Sequence, residues 1–143
     1  MEGFQMTAAE KIYENWHHFA KERDTDGLIS LYAEDAEFES PLVPIIMNQK
    51  SGVLTGHTQI RAFLEEGTQR RPNELVRWYR DGSYLVNDSM LVWEYPRQMP
   101  DGEQVDILEL MELRNGKIQR HRIYWGWFGT QMLIKSALDK SAK

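Results

Sequence analysis

Glu109 and His121 are the two side chains best suited to do chemistry in this sequence. A carboxyl and an imidazole within reach of one another form a general acid/base couple, and they stand in two apolar runs that flank Asn115-Gly116. The stretch from Glu103 to Trp127, EQVDILELMELRNGKIQRHRIYWGW, is the longest continuous strand signal in the chain. An Asn-Gly step between such runs marks a β-hairpin. Whether the two groups meet depends on the turn. If Asn115 and Gly116 alone form it, Arg114 pairs with Lys117, Glu109 falls opposite Arg122, and the carboxylate becomes a surface ion-pair partner. If Arg114, Asn115 and Gly116 form a three-residue loop with Gly116 left-handed, Glu109 falls opposite His121 on a shared face. A slip of one residue moves every side chain to the other side of the sheet.

Composition narrows the function classes. The 143 residues fit one domain, 1–143, and five Trp, six Tyr and five Phe can fill its core. A net charge of -5 argues against a nucleic-acid partner, because phosphate binding needs clustered Lys and Arg. No apolar run is long enough to span a membrane, and the start MEGFQMTAAEK has neither a basic lead nor an apolar signal core, so a cytoplasmic protein is expected. Without Cys there are no disulfides, thiolate metal sites or cysteine nucleophiles. Glu109, His121 and His57 are the only metal-ligand candidates, and their spacing matches no catalytic zinc motif. Phosphate-loop and dinucleotide fingerprints are absent, so neither metal nor cofactor is expected.

The elements that must position the pair can be read in order. From Thr7 to Arg23, Ala9, Ile12, Tyr13, Trp16, Phe19 and Ala20 recur at helical spacing, and Thr7 with Glu10 makes a capping box. His17 and His18 are expected to point away from that stripe into solvent. Asp24 to Gly27 breaks the helix, and Leu28 to Ala33 reads as a short second one, with Leu28, Leu31 and Tyr32 packing beneath the first. A strand from Ala36 to Ser40 stops at Pro41, and Leu42 to Thr55 reads as an irregular loop. Gly56 to Glu66 is a third predicted helix, with His57 as a cap or surface residue. Strands are expected at Glu74 to Arg80 and Ser83 to Arg97, joined at Asp81-Gly82. Pro96, Pro100 and Asp101-Gly102 are expected to turn the chain into the hairpin. Gly126 and Gly129 loosen it before a terminal helix of about Thr130 to Leu138. Helices followed by long antiparallel strands give an α+β fold, helices packed on one face of a curved, mainly antiparallel sheet with a conical cavity between.

Three segments make this specific. LYAEDAEFESP at 31–41, GHTQIRAF at 56–63, and Asn115-Gly116-Lys117-Ile118 running to Tyr124-Trp125 together resemble the nuclear transport factor 2-like superfamily, and within it the SnoaL-like group. The resemblance implies a cone-shaped fold related to ketosteroid isomerase and scytalone dehydratase. The superfamily also hosts cyclases, epoxide hydrolases and non-catalytic binding or dimerisation modules. The isomerase's general-base aspartate falls on Ser40, its helix-one tyrosine on Trp16 and its second acid on Glu109. The cyclases place a histidine near Glu109 and their catalytic aspartate on Ile123. The epoxide hydrolase arginine falls on Ile107.

In these families the positions matched by Glu109, His121, Ile123 and Trp125 face the cavity, and the three-residue loop is the one of the two turns that puts all four on one face. That loop is therefore expected. The cavity would be lined by Trp16, Phe19, Phe38, Ser40, Trp93, Ile107, Met111, Ile123 and Trp125, with Glu109 and His121 as its acid/base couple, and would take a small hydrophobic molecule. The activity this suggests is isomerase-, cyclase- or dehydratase-type proton transfer without a cofactor. The alternative is a non-catalytic ligand-binding or dimerisation module in which Glu109 and His121 are a satisfied polar pair. The convex face would carry Asp106, Leu108, Leu110 and Glu112 beside Arg120, Arg122 and Tyr124, and a homodimer through it is implied.

Overall fold

The computed structural model describes residues 5–70, 84–98 and 104–141. The strand expected at Glu74 to Arg80 and the turns at Asp81-Gly82 and Pro100 to Gly102 lie outside the described residues. Helix α1 spans Ala8–Lys21, and its predicted capping box is present: Glu10 N donates to Thr7 Oγ1 and Thr7 N donates to Glu10 Oε2, both at 3.2 Å. The buried face of α1 is Ala9, Ile12, Tyr13, Trp16, His17 and Ala20. This corrects the placement of His17 in solvent. Positions 9, 13, 16, 17 and 20 form one stripe of three- and four-residue spacing, and His17 lies inside it. Its ring packs against Tyr13, Trp16 and Trp93, and its Nδ1 lies 2.8 Å from Tyr13 O, whereas His18 is exposed.

Asp24 accepts from Gly27 N at 2.9 Å and starts α2, Thr25–Ser30. The helix ends before Tyr32, so Tyr32 opens strand β1, Tyr32–Glu39, instead of closing a helix. The segment expected to be irregular holds a short helix α3, Leu42–Met47, and a strand β2, Val53–Thr55, paired with β1. Helix α4, Gly56–Arg70, runs a turn longer than its apolar spacing suggests. The expected strand Ser83 to Arg97 is instead a hairpin of β3, Tyr84–Val86, and β4, Met90–Gln98. Asn87 Oδ1 accepts from Ser89 N at 3.0 Å and Met90 N at 2.8 Å, a side-chain turn that breaks the run.

Strands β5, Gln104–Arg114, and β6, Lys117–Trp125, complete a six-stranded sheet ordered β2-β1-β6-β5-β4-β3, antiparallel except for β1 beside β6. Helices α1, α2 and α4 pack on its concave face, giving the α+β cone. Helix α5, Trp127–Ser141, begins three residues earlier than expected. Gly129 lies within it and loosens nothing: a Cβ there would collide with the Trp125 ring, so glycine is what lets the first turn of α5 close on that indole.

The hairpin register corrects the expected three-residue loop. Arg114 pairs with Lys117 around a two-residue turn in which Asn115 (φ 53°) and Gly116 (φ 74°) are both left-handed. Leu113 then pairs with Ile118 but Glu112 pairs with Arg120, so Gln119 is an extra residue bulged out of β6. The bulge restores the parity that the loop was expected to supply. Met111 stands opposite His121, Glu109 opposite Ile123 and Ile107 opposite Trp125, all on the inner face.

Candidate active site

The concave face is built in rows across the strands. Leu91, Met111, His121, Phe38 and Leu54 stand side by side on β4, β5, β6, β1 and β2, and the next row holds Tyr84, Trp93, Glu109 and Ile123. His121 and Glu109 therefore sit diagonally, one row apart, not directly opposite each other. Their side chains lean together, with His121 Nε2 2.8 Å from Glu109 Oε1. Both are fully enclosed, at 0% and 1% exposure, by Trp93, Met111, Ile107 and Phe38. Phe38 presents its ring to His121 edge-on at 4.9 Å and the Trp16 indole crosses it at 6.1 Å.

Tyr32 joins this pair. Its hydroxyl lies 2.7 Å from His121 Nδ1, so both imidazole nitrogens are hydrogen-bonded to buried side chains. The reach is set by a distortion of β1. Tyr32 pairs with Ile118 and Glu37 with Arg120, so β1 spends five residues where β6 advances two. The looped segment lets Tyr32 and Phe38 both turn inward around one imidazole. Gln119 Nε2 donates to Asp35 Oδ1 at 3.1 Å, which ties the bulge of β6 to that loop. His57, at the start of α4, places Nε2 2.8 Å from Tyr32 O and fixes the same point from the other side. Burial pushes the Tyr32 hydroxyl well above the usual phenol range; the neighbouring Trp16 indole opposes this, and the Glu109 charge reinforces it. The shift favours the neutral phenol.

Three polar atoms of this face are buried with no hydrogen-bond partner among the described residues: Glu109 Oε2, Trp93 Nε1 and Trp125 Nε1. Trp93 is the cross-strand partner of Glu109, and Trp125 follows Ile123 on the same face. One acceptor and two donors are thus left over in apolar surroundings. Of the other residues singled out in the sequence, Trp16, Phe38, Ile107 and Met111 belong to the buried cluster, with Ile123 packed against it. Phe19 is half-buried and turned to α2, where a Cβ on Gly27 would come within 2.5 Å of its ring. Ser40 is buried, but its Oγ accepts from Leu42 N at 3.1 Å and its N donates to Gly52 O at 3.0 Å, so it holds the entry to α3. Tyr32 is the residue that sequence reasoning missed. Its signal was present in the strand-forming run Tyr32 to Phe38, but its place after the Leu28 to Leu31 helical segment hid it. No group of three or more His, Cys, Asp or Glu among the described residues is arranged to hold a metal ion.

Helices packed on a six-stranded, mostly antiparallel curved sheet give the chain an NTF2-like fold. Residues 10–121 match the model of the SnoaL-like domain, and the chain belongs to that family. Its structure is similar to a SnoaL-like protein of unknown function from Burkholderia thailandensis, at 20% identity and a TM-score of 0.69 over 87% of this chain and 100% of that one. It is also similar to TerC co-crystallised with polyporic acid, at 17% identity and a TM-score of 0.68 over 90% of this chain and 99% of that one. A ketosteroid isomerase-like protein from Kribbella flavida matches at 18% identity and a TM-score of 0.62 over 84% of this chain and 78% of that one. No curated protein matches the chain. At these identities the likeness is one of fold.

Proposed function

We propose that the protein binds a small apolar molecule bearing a carbonyl group and moves a proton on it without a cofactor, with Glu109 as the acid/base. The observation that supports this reading most is the unpartnered Glu109 Oε2. A pair retained only to satisfy itself would satisfy both carboxylate oxygens, since a buried acceptor left open costs about 1 to 3 kcal/mol. Here Oε1 is held by His121, and Oε2 is left for a ligand.

The leftover groups suggest the chemistry. Glu109 Oε2 takes a proton from the carbon next to the ligand's carbonyl, and the electron pair of that C–H bond moves onto the carbonyl oxygen. An indole N–H of Trp93 or Trp125 donates to that oxygen as charge develops; indole can donate but does not give up its proton. Where the ligand carries a double bond β,γ to its carbonyl, return of the proton from Glu109 to the γ-carbon shifts that double bond into conjugation and completes an isomerisation. Donation to Oε1 from His121 keeps the carboxylate aimed throughout. TerC, a structural neighbour, was crystallised with polyporic acid, which favours a small-molecule ligand for this chain as well.

Mass spectrometry of molecules released from the purified protein tests the binding half of this reading. An apolar compound with a carbonyl is expected, and its retention should fall in Trp93→Phe and Trp125→Phe. A saturated hydrocarbon, or retention indifferent to both indoles, contradicts it. Binding that persists with no turnover of any such compound supports a ligand-binding module instead.

We also propose that two copies of the chain meet through the convex face. There Leu108 stands opposite Tyr124, which is 48% exposed, and Leu110 stands opposite Arg122, whose Nη2 lies 3.3 Å from Glu112 Oε1. Apolar residues interleaved with paired charge suit a self-complementary contact.

A further inference from the structure

His121 alone does not decide which of its nitrogens carries a proton, and the choice matters because only an Nε2–H can donate to Glu109 Oε1. We infer that Tyr32 is the positioning residue of this site: its hydroxyl donates to His121 Nδ1 across 2.7 Å and so commits the imidazole to the Nε2–H tautomer that holds Glu109 across 2.8 Å. The inference rests on the proton-transfer reading above, in which Glu109 is a carboxylate.

The direction of the chain of hydrogen bonds follows from its carboxylate end. An ionised Glu109, the base of the proposed reaction, can only accept. His121 Nε2–H therefore donates to Glu109 Oε1, the neutral ring leaves Nδ1 as an acceptor, and the Tyr32 O–H donates to it. Reversing the imidazole would turn a bare Nε2 lone pair toward a carboxylate oxygen 2.8 Å away. An imidazolium would also donate at Nδ1, leaving the Tyr32 proton with no acceptor. Tyr32, His121 and Glu109 are 2%, 0% and 1% exposed, so bulk water does not reach either arrangement.

This arrangement has a purpose for a proton-transfer site. With both imidazole nitrogens engaged, the ring neither rotates nor takes the substrate's proton, and exchange is confined to Glu109 Oε2. Tyr32 acts on the ligand only through His121.

The test is the ring 15N NMR spectrum of His121, with Tyr32→Phe as the variant that keeps the aromatic ring and removes the hydroxyl. In the wild-type protein, Nε2 should be protonated and Nδ1 should show the shift of an unprotonated, hydrogen-bonded nitrogen. In Tyr32→Phe, the Nδ1 resonance should move toward that of a free imidazole nitrogen, and the Nδ1–H tautomer should become populated. A wild-type spectrum showing Nδ1 protonated, or a Tyr32→Phe spectrum identical to wild type, overturns the inference. The wild-type spectrum alone decides should the variant fail to fold. Because the readout needs no substrate, a protein with the stated tautomer but no turnover refutes the proposed activity while leaving this assignment standing.

Discussion

His121 and Glu109 are hydrogen-bonded at 2.8 Å although neither is the other's cross-strand partner; His121 faces Met111 and Glu109 faces Ile123. The diagonal contact is possible because both side chains are long and lie on one face, where diagonal neighbours remain within reach. Gln119 is the one residue of β6 that stands outside the pairing with β5.

Deleting Gln119 should therefore leave the faces of β6 intact. The deletion removes the one unpaired residue, so Ile118 and Arg120 become consecutive and still face Leu113 and Glu112, and His121, Ile123 and Trp125 stay on the inner face by plain alternation. Cooperative unfolding with the His121 to Glu109 bond retained is the expected outcome. Loss of that bond, or of cooperative unfolding, contradicts the role given to Gln119.

Glu109→Gln and Glu109→Leu should separate structure from chemistry. The amide of Gln still accepts from His121 Nε2–H, so its cost to stability should be small. Leucine leaves that buried donor unpaired and should cost about 1 to 3 kcal/mol in chemical denaturation. Equal stabilities for the two variants would show that the His121 bond carries no weight in the fold.

Tyr32 predicts an alkaline limit. Burial raises its hydroxyl, so the folded protein holds that proton more tightly than the unfolded chain. The associated stability is complete below about pH 10, where the phenol of an unfolded chain also stays protonated, and drains above it by about 1.4 kcal/mol per pH unit. Unfolding free energies at pH 9 and 11 should diverge more in wild type than in Tyr32→Phe. Parallel losses would show that Tyr32 ionises freely in the folded state.

The convex-face contact predicts that the protein sediments as a dimer and that Tyr124→Glu, which adds an unpaired charge to the contact, shifts it to monomer without loss of secondary structure. A wild-type monomer at every concentration refutes that contact.

Much of this was legible in the residues. The capping box at Thr7, the Asn115-Gly116 turn and the apolar runs of β4 to β6 are local signals, and the structure realises each of them. What escaped were the departures from regular period. The buried residues Ile118 and His121 are three apart on a strand, which period two forbids and a bulge at Gln119 requires. The family resemblance asks only that Glu109, His121, Ile123 and Trp125 share a face, and a longer loop or a bulge meets that demand equally well. Tyr32 escaped for a different reason: its bond to His121 spans 89 residues and depends on the distortion of β1, which no local pattern announces. His17 was misjudged because a polar residue beside His18 outweighed its place in the helical stripe.

The most direct test of the central claim is exchange of deuterium from solvent into the carbon next to the carbonyl of a cyclic enone, followed by proton NMR with wild-type protein and Glu109→Gln at equal occupancy. The account predicts exchange catalysed by the wild type and slowed about 100- to 10,000-fold in Glu109→Gln. Exchange at the wild-type rate by Glu109→Gln, or none by the wild type with the enone bound, would contradict it.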